Sequence, residues 1–416
     1  MENRGVDGMG RAAHLPGGGG LRLLVGLAAA LLLALPQPAA AAVPLQQRLA
    51  NALAVPHVSA RETGAVAIDL RTGKKVFTLN EQRSLLPAST EKLAVAYAAL
   101  HELGPDFRIE TDVLGEGALE GTTWRGSLVL KGFGDPSLSR DDLRALARGV
   151  RAFGVRTVTG GVVGDESYFD TRRVVSGWKP SYFIEESPPL SALIVDRAKL
   201  GGTTSRNPPL QAAALFRAEL IAAGVAVTGR ARVGRTDAAD FPLAFVHSPT
   251  LGRLVEYMGV ESDNFVAEML LKQLGAHETG LGTSARGAAV VTAVLRTLGV
   301  PLGGVRFVDG SGLSLLNRLT ATSLVTMLGL AWSDPAVRPT FVRTLPVAGV
   351  SGTLRRRLVS ARGRVAAKTG TTNGASTLAG YVSARYAFAI LHNGRPVATS
   401  WARRAQDRFV LVLAGS

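Results

Sequence analysis

"PASTEKLAVAYAAL", residues 87–100, decides how this chain is read. Leu93, Ala96, Tyr97 and Leu100 recur at helical spacing, and "ELGPD" just beyond ends the helix. Ser89 and Lys92 stand three apart at its start, which places both side chains on one face of the first turn. Two readings are open. Either Ser89 is an N-cap followed by a surface lysine, or it is a nucleophile beside its base.

A serine hydroxyl is a poor nucleophile until a base takes its proton. None of the six histidines adjoins a serine motif, and no G-x-S-x-G stretch occurs. A lysine can serve as the base if burial and a neighbouring cation lower its pKa. The chain uses lysine sparingly: of 47 basic residues, 39 are arginine and 8 are lysine. Arginine stays protonated at any relevant pH, whereas lysine can be tuned. Lys92 and Lys368 are two of those eight.

Two further motifs follow in order, Ser262-Asp263-Asn264 and Lys368-Thr369-Gly370. With Ser89-Thr-Glu-Lys92 they make the S-x-x-K, S-D-N, K-T-G set of penicillin-interacting serine enzymes. Each motif alone is weak, since "SGWK" (176–179) and "SRN" (205–207) match the first two patterns as well. Pro180 and Pro208 follow those decoys directly, so neither is expected to lead into a helix. Ser262 and Asn264 instead fall in a helix-to-helix passage, and Lys368 falls on an alternating run that reads as a strand.

The residue types suit acyl transfer. Neutral Lys92 can take the Ser89 proton, and Ser89 at a helix N-terminus gains from backbone N–H groups facing a developing oxyanion. Ser262 can relay a proton to a leaving amine, while Asn264 can orient Lys92 and hold a substrate amide. Lys368 and the Thr369 hydroxyl offer a seat for a carboxylate, and Gly370 lets a substrate backbone run beside the strand. The structural alternative has Ser89 and Asn264 as helix caps and Lys368-Thr-Gly as a strand end. Three motifs in order, each in fitting local structure, favour the chemistry.

The rest of the chain supplies context. At 416 residues, 46% of them hydrophobic, it is long enough for two domains. Residues 1–42 carry Arg11 and Arg22, an apolar run Leu23–Leu35 and an alanine cluster, the pattern of a secretory signal peptide. An exported protein is expected, in the periplasm, cell wall or medium; the alternative is a retained N-terminal anchor. The chain contains no cysteine, which excludes disulfides, thiol nucleophiles and cysteine metal sites. The formal charge is +15, of which the leader accounts for +1. That charge is dispersed, with Arg355–Arg357 the longest basic run and aromatics at 6%, so it does not make the footprint of a nucleic-acid binder. It does suit peripheral attraction to anionic wall polymers or lipid headgroups of a membrane.

Paired strands are expected in "TGAVAIDLRTGKKVFTLN" (63–80), and a strand-rich end in "GRVAAKTGTT", "STLAGYVSA" and "YAFAILHNG". Between them, residues 107–245 alternate short apolar runs with Gly and Asp turns around helix-like segments at 140–154 and 210–225. The organisation expected is therefore a leader (1–42), a first part (43–106), an inserted α+β domain (107–245) and a second part (246–416).

With these residues in hand, the chain resembles the D-alanyl-D-alanine carboxypeptidase/endopeptidase group of low-molecular-mass class C penicillin-binding proteins. "GDPSL" (134–138), "GDESYFD" (164–170), "PPLSAL" (188–193), "DGSGLSLLNRLT" (309–320) and "GVSGTL" (349–354) carry the likeness, which covers about 45–390. It implies an α+β fold, a penicillin-binding/β-lactamase-like domain with an antiparallel sheet flanked by helices and an inserted domain. It also implies a serine DD-peptidase that attacks the D-Ala-D-Ala peptide of peptidoglycan stem peptides and is inhibited by β-lactam antibiotics. Ser89 would be the acylated nucleophile and Lys92 the general base, with Ser262 and Asn264 as the second motif. Lys368 and Thr369 would bind the terminal carboxylate beside Gly370, and the N–H groups of Ser89 and Thr371 would form the oxyanion hole. No metal or cofactor is called for.

Two departures are visible. Only about 70 residues separate Leu193 from Ser262, so a small domain usual there is reduced or missing. Leu315 and Leu316 stand where polar residues are usual. Class A β-lactamases carry similar motifs, but the 173 residues between Ser89 and Ser262 are too many for them, and no E-x-x-L-N stretch supplies a deacylating glutamate. The alternatives are a catalytically weak penicillin- or wall-binding protein, or an esterase or β-lactamase on the same scaffold.

Overall fold

In the computed structural model, residues 43–236 and 240–416 are described. The expected leader lies outside them. Among the described residues no helix is long and apolar enough to cross a membrane.

A five-stranded antiparallel sheet joins the two ends of the chain. Its strand order is Val365–Thr372, Ala375–Val382, Tyr386–Asn393, Thr63–Asp69, Lys75–Leu79. The alternation read from the sequence shows which way each side chain points. Val66, Ala379, Ala387, Ala389 and Leu391 face one core, whereas Ala65, Ala67, Leu378, Phe388 and Ile390 face another. Both faces are therefore covered; Ala375–Val382 is buried along its whole length and Tyr386–Asn393 at every residue but the last.

The first core is filled by helices Lys92–Leu103, Leu251–Val260, Asn264–Thr279, Ser284–Thr297 and Ala321–Ser333. The second is closed by Leu45–Leu53 and by the C-terminal helix Thr399–Ala414. The Lys92–Leu103 helix is buried at every position from Lys92 to Leu100. A helix apolar all round belongs in an interior, and its small alanines let neighbours approach from every side. Gly104, at φ 78°, ends it.

A second sheet takes its strands from residues between Glu110 and His247, in the order Ala231–Val233, Val162–Asp165, Thr123–Gly132, Glu110–Glu120, Phe241–His247. Two short strands, Thr157–Val158 and Ala226–Val227, extend it from Thr123–Gly132. The sheet is mixed: Val162–Asp165 runs parallel to both neighbours and the two short strands also pair parallel, while Thr123–Gly132, Glu110–Glu120 and Phe241–His247 pair antiparallel with one another in that order. Helices Arg140–Ala152 and Pro208–Ala222 cover it through Leu143, Leu146, Val150, Phe216 and Leu220. Ser139 and Asp142 start the first of these with a reciprocal capping box.

The "SRN" decoy departs from expectation. Asn207 caps the Pro208–Ala222 helix and accepts a hydrogen bond from the Leu210 N–H. Proline restrains the residue before it, but a cap is non-helical anyway and proline is favoured at the first helical position. The other decoy, "SGWK", runs into a kinked four-residue turn, Tyr182–Glu185.

Candidate active site

Ser89 does not cap a helix. It sits on a 3-10 turn, Ala88–Glu91, that leads into the Lys92–Leu103 helix, and no side chain caps either element. In a 3-10 turn residues three apart eclipse one another, which brings Ser89 and Lys92 together more directly than an α-turn. The Lys92 Nζ donates to Ser89 Oγ at 2.9 Å. Ala88, just before the serine, is held at φ 47°, a left-handed conformation a non-glycine residue enters only at a cost.

Two glycines frame Ser89. A Cβ on Gly370 would lie 2.9 Å from the Ser89 nitrogen and 2.2 Å from Thr377 Oγ1. One on Gly312 would lie 1.9 Å from the Ala88 carbonyl oxygen. The Pro87 carbonyl accepts from Thr90 Oγ1 at 2.7 Å and from Thr377 Oγ1 at 2.8 Å, tying the turn to the sheet.

The Asn264 cap reading also fails. Asp263 is the N-cap of the Asn264–Thr279 helix, its Oδ1 accepting from the Val266 N–H at 2.9 Å. That frees Asn264 to face Lys92, whose Nζ donates to Asn264 Oδ1 at 2.8 Å. Ser262, held at φ 60°, points its hydroxyl at the third motif, where Lys368 Nζ donates to Ser262 Oγ at 2.8 Å. Lys368 also donates to the Thr369 carbonyl at 3.0 Å, and Thr369 Oγ1 donates to Thr353 Oγ1 at 2.8 Å. The Lys368 strand is the sheet edge; its first part pairs outward with residues 346–348, through Ala348 N–H to the Val365 carbonyl and Ala367 N–H to the Pro346 carbonyl, and the edge is open only beyond it.

Lys92 and Lys368 are both essentially inaccessible, at 1% and 0% exposure. Burial pushes Lys92 down to about 8, against the opposing pull of Asp309, Glu268, Asp263 and Glu91. Burial, with the charge of Lys92 added, holds Lys368 well below the usual lysine range.

The structure adds partners that motif reading missed. The Ser311 carbonyl accepts from Lys92 Nζ at 2.6 Å. That carbonyl belongs to "DGSGLS", where Asp309 gathers the N–H groups of Gly312 and Ser314, the Asn317 amide and the Trp178 indole N–H. Glu268 Oε1 accepts from the N–H groups of Gly310 and Ser311 at 3.0 and 2.8 Å. Glu268 is pushed up to about 8 by burial and by Asp309. Glu91 is fully buried with neither carboxylate oxygen hydrogen-bonded, and burial raises it well above the carboxylate range. Leu315 and Leu316 are 43% and 41% exposed and lie outside this network's core.

A cleft of about 590 Å³ opens over these groups, lined by Ser89, Ser262, Asn264, Thr369 and Thr371 together with Glu186, Arg356, Arg357 and Arg403. Glu186 accepts from Asn264 Nδ2 through its carbonyl at 3.1 Å and its Oε2 at 3.3 Å. Among the described residues no group of His, Asp and Glu side chains is disposed to hold a metal ion.

The sheet, its helical layers and the converging serine, lysines and asparagine define a penicillin-recognising serine hydrolase fold. The profile of the D-Ala-D-Ala carboxypeptidase 3 (S13) family matches residues 45–206 and 198–415, and the chain belongs to that family. It is 33% identical to a D-alanyl-D-alanine carboxypeptidase of Actinomadura sp. (strain R39), covering 82% of this chain and 79% of the relative. It is 31% identical to carboxypeptidase DacB of Mycolicibacterium smegmatis, over 89% and 83% of the two chains. Its fold is similar to that of penicillin binding protein 4 (dacB) from Haemophilus influenzae, with a TM-score of 0.77 and 22% identity, covering 89% of this chain and 98% of that one.

Proposed function

We propose that this protein is a serine DD-peptidase that hydrolyses the D-Ala-D-Ala peptide of peptidoglycan stem peptides and is acylated by β-lactams. The observation that carries the reading is the buried Lys92 Nζ at 2.9 Å from Ser89 Oγ, with Lys368 and Ser262 joined across the same cleft. The curated relatives named as D-alanyl-D-alanine carboxypeptidases support it.

Ser89 Oγ attacks the carbonyl carbon of the penultimate D-alanine, and its proton passes to neutral Lys92. The oxyanion is received by the N–H groups of Ser89 and Thr371. The C–N bond then breaks, the leaving amine takes a proton by way of Ser262, and Lys368 with Thr369 keeps the terminal carboxylate. Water attacks the remaining ester, releasing the shortened peptide and restoring the serine. Residues 107–245 act as an inserted domain beside this machinery, and the leader exports the chain to its substrate.

Fluorescent penicillin is expected to label the protein, with intact mass and peptide mapping placing one adduct on Ser89. An N-acylated peptide ending in D-Ala-D-Ala is expected to release D-alanine. No adduct at high drug concentration and no D-alanine would refute the reading. A β-lactamase on this scaffold is the second reading, favoured by Glu186, whose carboxylate reaches the cleft beside Asn264 and could activate a water. Rapid turnover of a chromogenic cephalosporin, instead of a persistent adduct, selects it.

A further inference from the structure

The turn at Leu315 and Leu316 joins apolar surface and charge in one place. Both leucines are exposed, although Leu313, Ser314 and Asn317 around them are buried. They are also held still. Ser314 Oγ donates to the Ser176 carbonyl at 2.8 Å, and the Leu315 N–H donates to the Gly177 carbonyl at 3.2 Å. A Cβ on Gly177 would lie 2.9 Å from Leu316 Cγ, so the leucine packs directly on that backbone. The result is a fixed apolar tip.

Arginines are fastened to the same turn. Arg306 donates from Nε to the Leu316 carbonyl at 2.6 Å. Arg318 donates from Nη1 to the carbonyls of Leu315 at 2.8 Å and Asn317 at 2.6 Å. Arg306 and Arg318 also exchange both backbone N–H···O bonds, each at 2.8 Å, and so stand directly opposite as an antiparallel pair. Like charges in that position repel. Arg395 joins them from the exposed turn after Tyr386–Asn393. Burial loosens the hold of Arg318 on its proton, and the charges of Arg306 and Arg395 loosen it further, with no carboxylate acting the other way. Among the described residues none of the three arginines forms an ion pair.

Cations gathered without a counter-ion are stabilised by an anion from outside. A dissolved anionic polymer would neutralise the arginines but leave both leucines in water. A bilayer with anionic headgroups answers both features, since phosphates meet the guanidinium groups while the leucines enter the acyl boundary. We propose that the tip formed by Leu315 and Leu316, with Arg306, Arg318 and Arg395 around it, docks this protein on an anionic membrane surface. Leu313, two residues before the tip, lines the Ser89 cleft, so docking would hold the cleft beside the bilayer. The inference concerns where the protein works and stands apart from the reaction it catalyses.

The chain has no cysteine, which allows a single label. The full chain carrying Leu315→Cys with an environment-sensitive fluorophore is mixed with vesicles of phosphatidylglycerol and phosphatidylcholine. A blue shift is expected, and none with phosphatidylcholine alone. None is expected either from the dye at Val359→Cys, an exposed position whose neighbours Leu358 and Ala361 pack on the other face of the sheet. Vesicle affinity by flotation is expected to fall about fivefold in Arg395→Gln. It is expected to fall about tenfold or more in Leu315→Ser with Leu316→Ser, and to weaken with added salt. Melting temperatures check that the variants fold; Arg395→Gln leaves the tip intact and decides the matter if the double variant does not. Vesicle binding without a shift at position 315 would place the contact elsewhere, the leader included, and overturns the proposal. So does an affinity unchanged in the folded variants. Binding to soluble poly(glycerol phosphate) with none to vesicles overturns it in favour of a wall polymer.

Discussion

Lys92 Nζ stands 2.9 Å from Ser89 Oγ, and every hydrogen bond it makes goes to a neutral oxygen: Ser89 Oγ, Asn264 Oδ1 and the Ser311 carbonyl. Among the described residues no carboxylate touches it. Buried and without a counter-ion in contact, the lysine is set near about 8, where a base for neutral-pH chemistry belongs. The rate of β-lactam acylation should therefore rise with pH as Lys92 loses its proton and level off above about 8. Lys92→Arg keeps the charge and removes the base, so acylation should fall by about 100-fold to 10,000-fold. Stopped-flow labelling across pH 5.5–9.5 reads both effects; a flat profile with near-normal labelling of the variant would contradict the assignment.

Arg197 holds the second motif from outside. It donates from Nη1 to Asp263 Oδ2 at 2.7 Å, and its guanidinium lies over the Tyr257 and Phe265 rings. To reach there, Asp196, Arg197 and Ala198 take φ values of 48°, 56° and 58°, three consecutive non-glycine residues in the left-handed region. Arg197→Ala should loosen Ser262 and Asn264 and lower kcat by about 10- to 100-fold, since small misplacements of positioned groups are costly. A kcat loss at nearly unchanged melting temperature, partly rescued in Arg197→Lys, supports positioning. A fall in melting temperature with normal kcat would argue for a purely structural contact.

Gly370 is required by closeness. A methyl there would meet Thr377 Oγ1 and the Ser89 nitrogen, so Gly370→Ala should push the Lys368 strand away from the nucleophile. A stability loss of about 1–3 kcal/mol is expected, with acylation reduced more than stability alone explains. Comparing the labelling rate with the urea midpoint separates the two.

Glu268 gives a pH-dependent stability. The unfolded chain loses this proton near the ordinary value of 4.5, whereas the folded protein keeps it to about 8. Between those limits the unfolded state binds fewer protons, so stability falls as pH rises through the window. Glu268→Gln keeps an acceptor for the Gly310 and Ser311 N–H groups without the ionisation. Its melting temperature should hold steadier than that of the unaltered protein from pH 5 to 8. Parallel curves would sink this account.

Much was legible in the residues themselves. Strict alternation marked the strands around Val66 and around Lys368, because a sheet side chain points up or down by parity. Helical spacing marked Lys92–Leu103, and the ordered motifs named Ser89, Lys92, Ser262, Asn264, Lys368 and Thr369 before any coordinate. Proline rules misjudged "SRN", since Asn207 at a cap escapes the restriction that Pro208 imposes on a helical neighbour.

What local sequence does not contain is the meeting of segments. Glu186, Arg356 and Arg403 carry no motif, and nothing in the "DGSGLS" stretch says that the Ser311 carbonyl meets Lys92; these groups reach the site through turns and helices ordered by distant cores. The same holds for the chemistry of the lysines. Sequence determines that a lysine follows the serine by three; only the packed interior removes water from it and lowers its hold on the proton.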